Sequence, residues 1–272
     1  MVRRLGFLVV VVAALAAVSS AWAAFPGPMA VQGGTGLASL DGSLRFVATQ
    51  TSAATRVDAI GTDGGGVAFT RTVPGFLGTV QLTPAGELGG LFHDGSAFVL
   101  QNTGLESTSK FLVLSTNDLA TRSAITLHGT FGFDALSPDG SKLYLIQHTS
   151  TQDIQHYIVR AYDLNAHKLL PGRVADKTQR NWVMQGWAVD RTATTDGRWV
   201  YTLYANPGGF PFVHALDTVR GVAHCIGLPW TKADQNPVYN FKLSLKDGSL
   251  LVHTSDGTVW KTVDTKTWHI SR

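Results

Sequence analysis

The side chains able to do chemistry are few, and most carboxylates are aspartates. Among 19 acidic residues only Glu87 and Glu106 are glutamates. Hydrolysis by a carboxylate pair needs one acid held protonated and a partner held ionised. Both glutamates lie in turn-like polar segments, "PAGELGG" and "NTGLESTS", which does not predict a buried acid of raised pKa. The carboxylates of most interest outside the recurring pattern are Asp134 in "FDALSP" and Asp190, beside Arg191, in "GWAVDRTATTDG". With Arg191 and His148 they form the candidate catalytic set of a hydrolase. The competing use of Asp134, Asp190 and Arg191 is an ion pair locking neighbouring elements.

A second candidate is a recognition patch. Trp182 and Trp187 in "RNWVMQGWAVD" lie near Arg180 and Gln185, and exposed aromatic and guanidinium groups anchor interfaces. Packing within the core is the other use of those rings. Nine histidines show no His-x-His or His-Glu-x-x-His spacing, so no metal ligand is assigned from sequence. Ca²⁺ held by aspartates and backbone carbonyls is the one cofactor left open. Cys225 is the sole cysteine. It excludes an internal disulfide, and its apolar surroundings predict a buried structural thiol. There is no Gly-x-Ser-x-Gly elbow, and "GGTGLA" lacks the remaining glycine of a dinucleotide-binding loop.

The elements that would position these groups are strands. Short runs of Val, Leu, Thr, Tyr and Phe alternate with Gly, Asp, Asn and Pro, and no amphipathic stretch of helical period exceeds about two turns. One segment, "FDALSPDGSKLYLIQH", recurs in outline. Its turn and following strand align with "LDGSLRFVAT", "HDGSAFVLQN", "TDGRWVYTLY" and "KDGSLLVHTS", with turn glycines at 42, 95, 140, 197 and 248. Repetition near 50 residues signals a propeller or array. Each copy continues into a strand ending near an Asp or its substitute, as in "VRAYDL" and "FVHALDT", and most add one more. The expected fold is therefore all-β: a β-propeller of four-stranded antiparallel blades, five in number, with six as the alternative if residues 76–105 build a degenerate blade. Asp41, Asp94, Asp139, Asp196 and Asp247 are read as turn formers, and Asp163, Asp217 and Asp264 as hairpin caps.

"FDALSPDGSKLYLIQH", "VRAYDL", "TDGRWVYTLY" and "PFVHALDT" resemble the repeats of secreted bacterial propellers of the YVTN and lactonase-like kind. The resemblance covers most of residues 37–272. It implies the propeller architecture and leaves activity open, since propellers serve as scaffolds, binders, lyases, lactonases and glycosidases.

The chain starts MVRRLGFLVVVVAALAAVSSAWA, a basic head, an apolar stretch and Ala21-Trp22-Ala23. That is the layout of a secretory signal peptide, with an apolar stretch short for a membrane span. The expected organisation is a signal peptide at 1–23, a Pro/Gly-rich linker at 24–36 and a propeller at 37–272. Without the leader the formal charge falls from +3 to +1. No Lys/Arg run remains to suggest a nucleic-acid partner or an anionic membrane surface. The expectation is an extracytoplasmic recognition or scaffold module, monomeric, with a protein or cell-wall ligand as partner. The alternative is a lactonase-like or other hydrolase using channel-facing acids, with Ca²⁺ as its candidate metal. The long loops 149–156 and 172–185 place the expected binding face around the third repeat.

Overall fold

A computed structural model describes residues 29–103, 107–150, 154–178, 183–206, 209–231 and 238–271. The expected signal peptide lies outside them. The described chain is nearly all β, with one short 3₁₀ turn at Val238–Asn240. After β1 (Met29–Val31), the first sheet takes β2 (Leu37–Ala38), β3 (Leu44–Gln50), β4 (Ala54–Gly61) and β5 (Val67–Pro74). The second takes β6 (Leu77–Gln81), β7 (Leu88–Gly89), β8 (Ala97–Asn102), β9 (Thr108–Ser115) and β10 (Thr121–His128), and β1 pairs with its β6. The third takes β11 (Phe131–Leu136), β12 (Lys142–His148), β13 (His156–Asp163), β14 (Lys168–Leu169) and β15 (Met184–Gln185). The fourth takes β16 (Trp187–Ala193), β17 (Trp199–Ala205), β18 (Phe212–Asp217) and β19 (Val222–Gly227). The fifth takes β20 (Lys242–Lys246), β21 (Ser249–His253), β22 (Val259–Asp264) and β23 (Ile270–Ser271). Named strand pairings are antiparallel.

Strand periodicity explains how the sheets pack. Along β8, Phe98 and Leu100 join a cluster with Phe46 and Val57 of the first sheet. Ala97 and Val99 point the other way, to Phe133 and Leu145 of the third. The same alternation joins third to fourth sheet through Tyr157 and Tyr204, and fourth to fifth through Leu203 and Val252. Four apolar seams thus link five consecutive sheets. Among the described residues none of these clusters joins the fifth sheet to the first.

The recurring turn has one chemistry. Gly140 adopts φ +67, and Asp139 accepts the Ser141 N–H at 3.0 Å and the Ser137 hydroxyl at 2.6 Å. Asp41, Asp94 and Asp196 each accept the N–H two residues on. The fifth copy departs from expectation. Asp247 sits at φ +48 in a two-residue hairpin turn with Gly248, and Asp256 takes the recurring role one hairpin later. Asp163, Asp217 and Asp264 cap the third-strand hairpins through backbone N–H groups. A threonine after the third strand then ties the two hairpins together. Thr62, Thr116, Thr218 and Thr265 donate to the turn-glycine carbonyls of Gly42, Gly95, Gly197 and Gly248.

One segment differs from the sequence expectation, and another bears on the alternative of a sixth blade. Within the expected linker, Met29–Val31 form a strand lying against β6, where a Cβ on Gly78 would collide with the Val31 carbonyl oxygen. Only glycine admits that approach. Among the described residues, 76–103 make no sheet of their own, because β6, β7 and β8 enter the second sheet. There β6 divides: Leu77–Thr79 pair with β8, while Val80 and Gln81 turn into a hairpin with β7 around Thr83–Gly86.

Candidate functional site

The divided strand shapes the main cleft. The β6–β7 hairpin, the segment leading into β2, the ends of β11 and β16 and their turns enclose about 570 Å³. Its walls are largely apolar or backbone, with Leu37, Leu88, Phe133 and Val200 among them. The charged groups lining it are Arg45, Asp134 and Arg191.

Asp134 and Arg191 meet across the third and fourth sheets. Arg191 Nη2 lies 3.2 Å from Asp134 Oδ1, with side chains 7% and 3% exposed, and it also donates to the Asp134 carbonyl. Asp134 sits at a register shift in β11, which turns its side chain sideways towards the next sheet. Its second oxygen, Oδ2, is buried without a hydrogen-bond partner. Asp190 repeats the device one sheet on, accepting Lys242 Nζ at 2.9 Å and the Leu243 N–H at 2.7 Å. Two of the expected catalytic residues therefore line the cleft together, and the third faces the fifth sheet.

His148 is not in that group. It ends β12, and its Nδ1–H donates to the Ile154 carbonyl at 2.8 Å, closing its own loop. Burial lowers its pKa, so the ring is neutral at neutral pH. His148 therefore does not line the cleft with Asp134 and Arg191. Of the expected recognition patch, Arg180 and Trp182 lie outside the described residues. Gln185 pairs with His156, so the two long loops meet along β13, and Trp187 begins β16. Four other tryptophans pack around the fourth–fifth seam, with Trp199 against Trp268 and Trp230 against Trp260.

Sequence reasoning weighed Glu87 and set it aside. It sits on the exposed hairpin tip, yet withdrawal from solvent, then the Asp190 charge, raise its pKa; Arg191 and Lys242 oppose them. Its exposure agrees with the expectation that it is not a buried acid, the direction of its pKa does not, and Glu106 lies outside the described residues. Nothing in "PAGELGG" shows that its hairpin reaches towards the fourth and fifth sheets. Arg45 was missed, being one unremarkable cation in a strand. Among the described residues no three His, Cys, Asp or Glu side chains converge as a metal-binding group.

No protein-family model and no curated protein matches the sequence. Solved β-propellers are similar in fold. The chain is 12% identical to the Cps50 (Swd1) propeller domain of Myceliophteria thermophila, over 86% of this chain and 67% of that one, with a TM-score of 0.47. It is 17% identical to a provisionally assigned 6-phosphogluconolactonase of Bacteroides fragilis, over 88% and 70% of the two chains, also with a TM-score of 0.47. For TolB of Acinetobacter baumannii the values are 13%, 85% and 53%, and the TM-score is 0.41.

Proposed function

We propose that this chain is an extracytoplasmic, five-bladed β-propeller that binds a ligand in the cleft without transforming it. The observation that carries the reading is how the acids around the cleft are used. Asp134 is held by Arg191, and both oxygens of Asp190 are taken by Lys242 and Leu243. Groups committed to joining sheets are poorly placed for proton transfer, while a roomy apolar cleft is a ready binding surface. Arg45, exposed at its rim and bonded only loosely to the Thr35 carbonyl at 3.5 Å, supplies a charge for an acidic group. The ligand would pair an apolar body with a carboxylate or phosphate, as a cell-wall fragment or a protein segment can. The leader-like N-terminus supports the compartment, and no helix among the described residues is long and apolar enough to cross a membrane.

A thermal-shift panel of acidic cell-wall fragments, lactones and sugar phosphates tests this. A ligand at 100 times its Kd adds about 2.7 kcal/mol, on the order of 5–10 °C for a domain of this size. The shift should vanish in Arg45→Ala, whose own melting temperature should match the parent. An undiminished shift in that variant, or none from any acidic ligand, refutes the reading.

A second reading rests on Glu87. The hydrolase alternative would use Glu87, whose pKa is raised by desolvation and by the neighbouring Asp190, as proton donor. Lactone or glycoside turnover abolished by Glu87→Gln would support it. Turnover unaffected by that change would remove it.

A further inference from the structure

A second groove shares no lining residue with the cleft. It encloses about 280 Å³ between the second and third sheets, beside the turns that carry Asp94 and Asp139. We propose that this groove binds a small zwitterion, an α-amino acid with an apolar side chain.

The repeat departs from its own pattern at this groove. The other four sheets place a threonine after the third strand, and its hydroxyl donates to the turn-glycine carbonyl. The third sheet has Leu164 there. It keeps the backbone bond, to the Ser141 carbonyl at 2.9 Å, but has no hydroxyl to give, and it lines the groove with Phe92 and Val113 as an apolar floor. The facing wall carries the opposite departure. Ser123 on β10 is the register partner of Val113 on β9. Residues paired in this way share a sheet face, and Val113 packs with Leu145 and Leu164 of the third sheet. Ser123 therefore points at the third sheet, into the groove that it lines. It is 8% exposed, and among the described residues its hydroxyl has no hydrogen-bond partner. Burying an unused hydroxyl costs stability, and local rules are broken where function requires it. A bound group that takes this hydroxyl accounts for both departures.

The charges select the ligand. Arg122 and Asp94 stand on the second-sheet side of the groove, and Asp139 stands on the third-sheet side. Arg122 Nη1 donates to the Ser96 hydroxyl at 2.9 Å, while the Ser96 N–H donates to Asp94 Oδ1 at 2.9 Å. One serine thus holds a cation and an anion side by side. A guanidinium takes a carboxylate through paired N–H bonds, and the two aspartates suit an ammonium. An α-amino acid carries both charges on one carbon and turns its side chain to the floor. Ser123, next to Arg122 in the chain, donates to the same carboxylate. A ligand with one sign of charge would meet repulsion from Arg122 or from the aspartates.

The test is isothermal titration calorimetry of the full chain with L-leucine, and one equivalent should bind. N-acetyl-leucine, which lacks the ammonium, and leucinamide, which lacks the carboxylate, should each bind about tenfold or more weakly, the worth of one hydrogen bond to a charged group. Ser123→Ala should lose about tenfold in affinity for the same reason, with no fall in its own melting temperature. Arg122→Ala should lose more. Arg45→Ala, which alters the cleft, should bind leucine as the parent does, so this proposal and the cleft reading fail separately. No leucine bound, either derivative binding as tightly as leucine, full affinity in Ser123→Ala, or binding lost in Arg45→Ala would each overturn the proposal.

Discussion

Removing Arg191 should cost more stability than any surface charge in this chain. Its guanidinium touches both the carboxylate and the carbonyl of Asp134, and both side chains are more than nine-tenths buried. Arg191→Met keeps much of the volume but leaves the Asp134 charge in an apolar seam, with Oδ2 already unpaired. Breaking a buried pair on one side costs about 3–5 kcal/mol. At about 2–4 °C per kcal/mol for a domain of this size, melting should fall by roughly 6–20 °C. The double variant Asp134→Leu/Arg191→Met removes the stranded charge and should recover most of that loss. Urea unfolding followed by tryptophan fluorescence measures all four proteins of the cycle, with equal m-values expected. A cost for Arg191→Met below about 1 kcal/mol, the range of exposed pairs, refutes the reasoning. So does a double variant as unstable as the sum of the singles.

Other tests probe the remaining joints. Tyr144→Phe removes a bond of 2.6 Å from its hydroxyl to the Thr218 carbonyl in the next sheet, and chemical denaturation should show a loss of about 1–2 kcal/mol. Gly78→Ala would drive a methyl into the Val31 carbonyl. Hydrogen exchange at residues 29–31 should then rise towards that of free chain while the third and fourth sheets keep their protection. Stability should fall in two stages with acid. His214 binds its proton in the folded state only near pH 4 but near 6.5 when unfolded, so the unfolded chain gains protons first and stability declines from about pH 6.5 to pH 4. Asp41 and Asp139 are depressed to about 2 by turn hydrogen bonds. Their contribution is complete above the unfolded value near 4 and lost as pH falls towards 2. A pH titration of the urea midpoint that is flat from 7 to 4 contradicts the first stage.

The recurring turn was legible because its chemistry is local. Asp139 and Gly140 need only their own neighbours to form the bend, so the same letters recur wherever the bend does. Strand alternation in segments such as "AFVLQN" was legible for a similar reason: residues two apart share a face whatever that face meets. The last copy shows the limit. "KDGS" reads like "PDGS", yet the hairpin around Asp247 is shorter and Asp256 inherits the cap, because strand pairing sets the register there.

What the sequence alone determined is an all-β chain of recurring hairpins, with the positions of most turns and caps, since these depend on contacts within a few residues. Which charges meet was decided by tertiary packing. Asp134 and Arg191 are 57 residues apart, and only the stacking of one sheet on the next brings them into contact. His148, nearer to Asp134 in sequence, is held instead by its own loop. Glu87, His214 and Cys225 acquire their surroundings in the same way. Electrostatic and hydrogen-bonding contacts act over a few ångströms in space, and chain separation says little about such distances until the sheets are stacked.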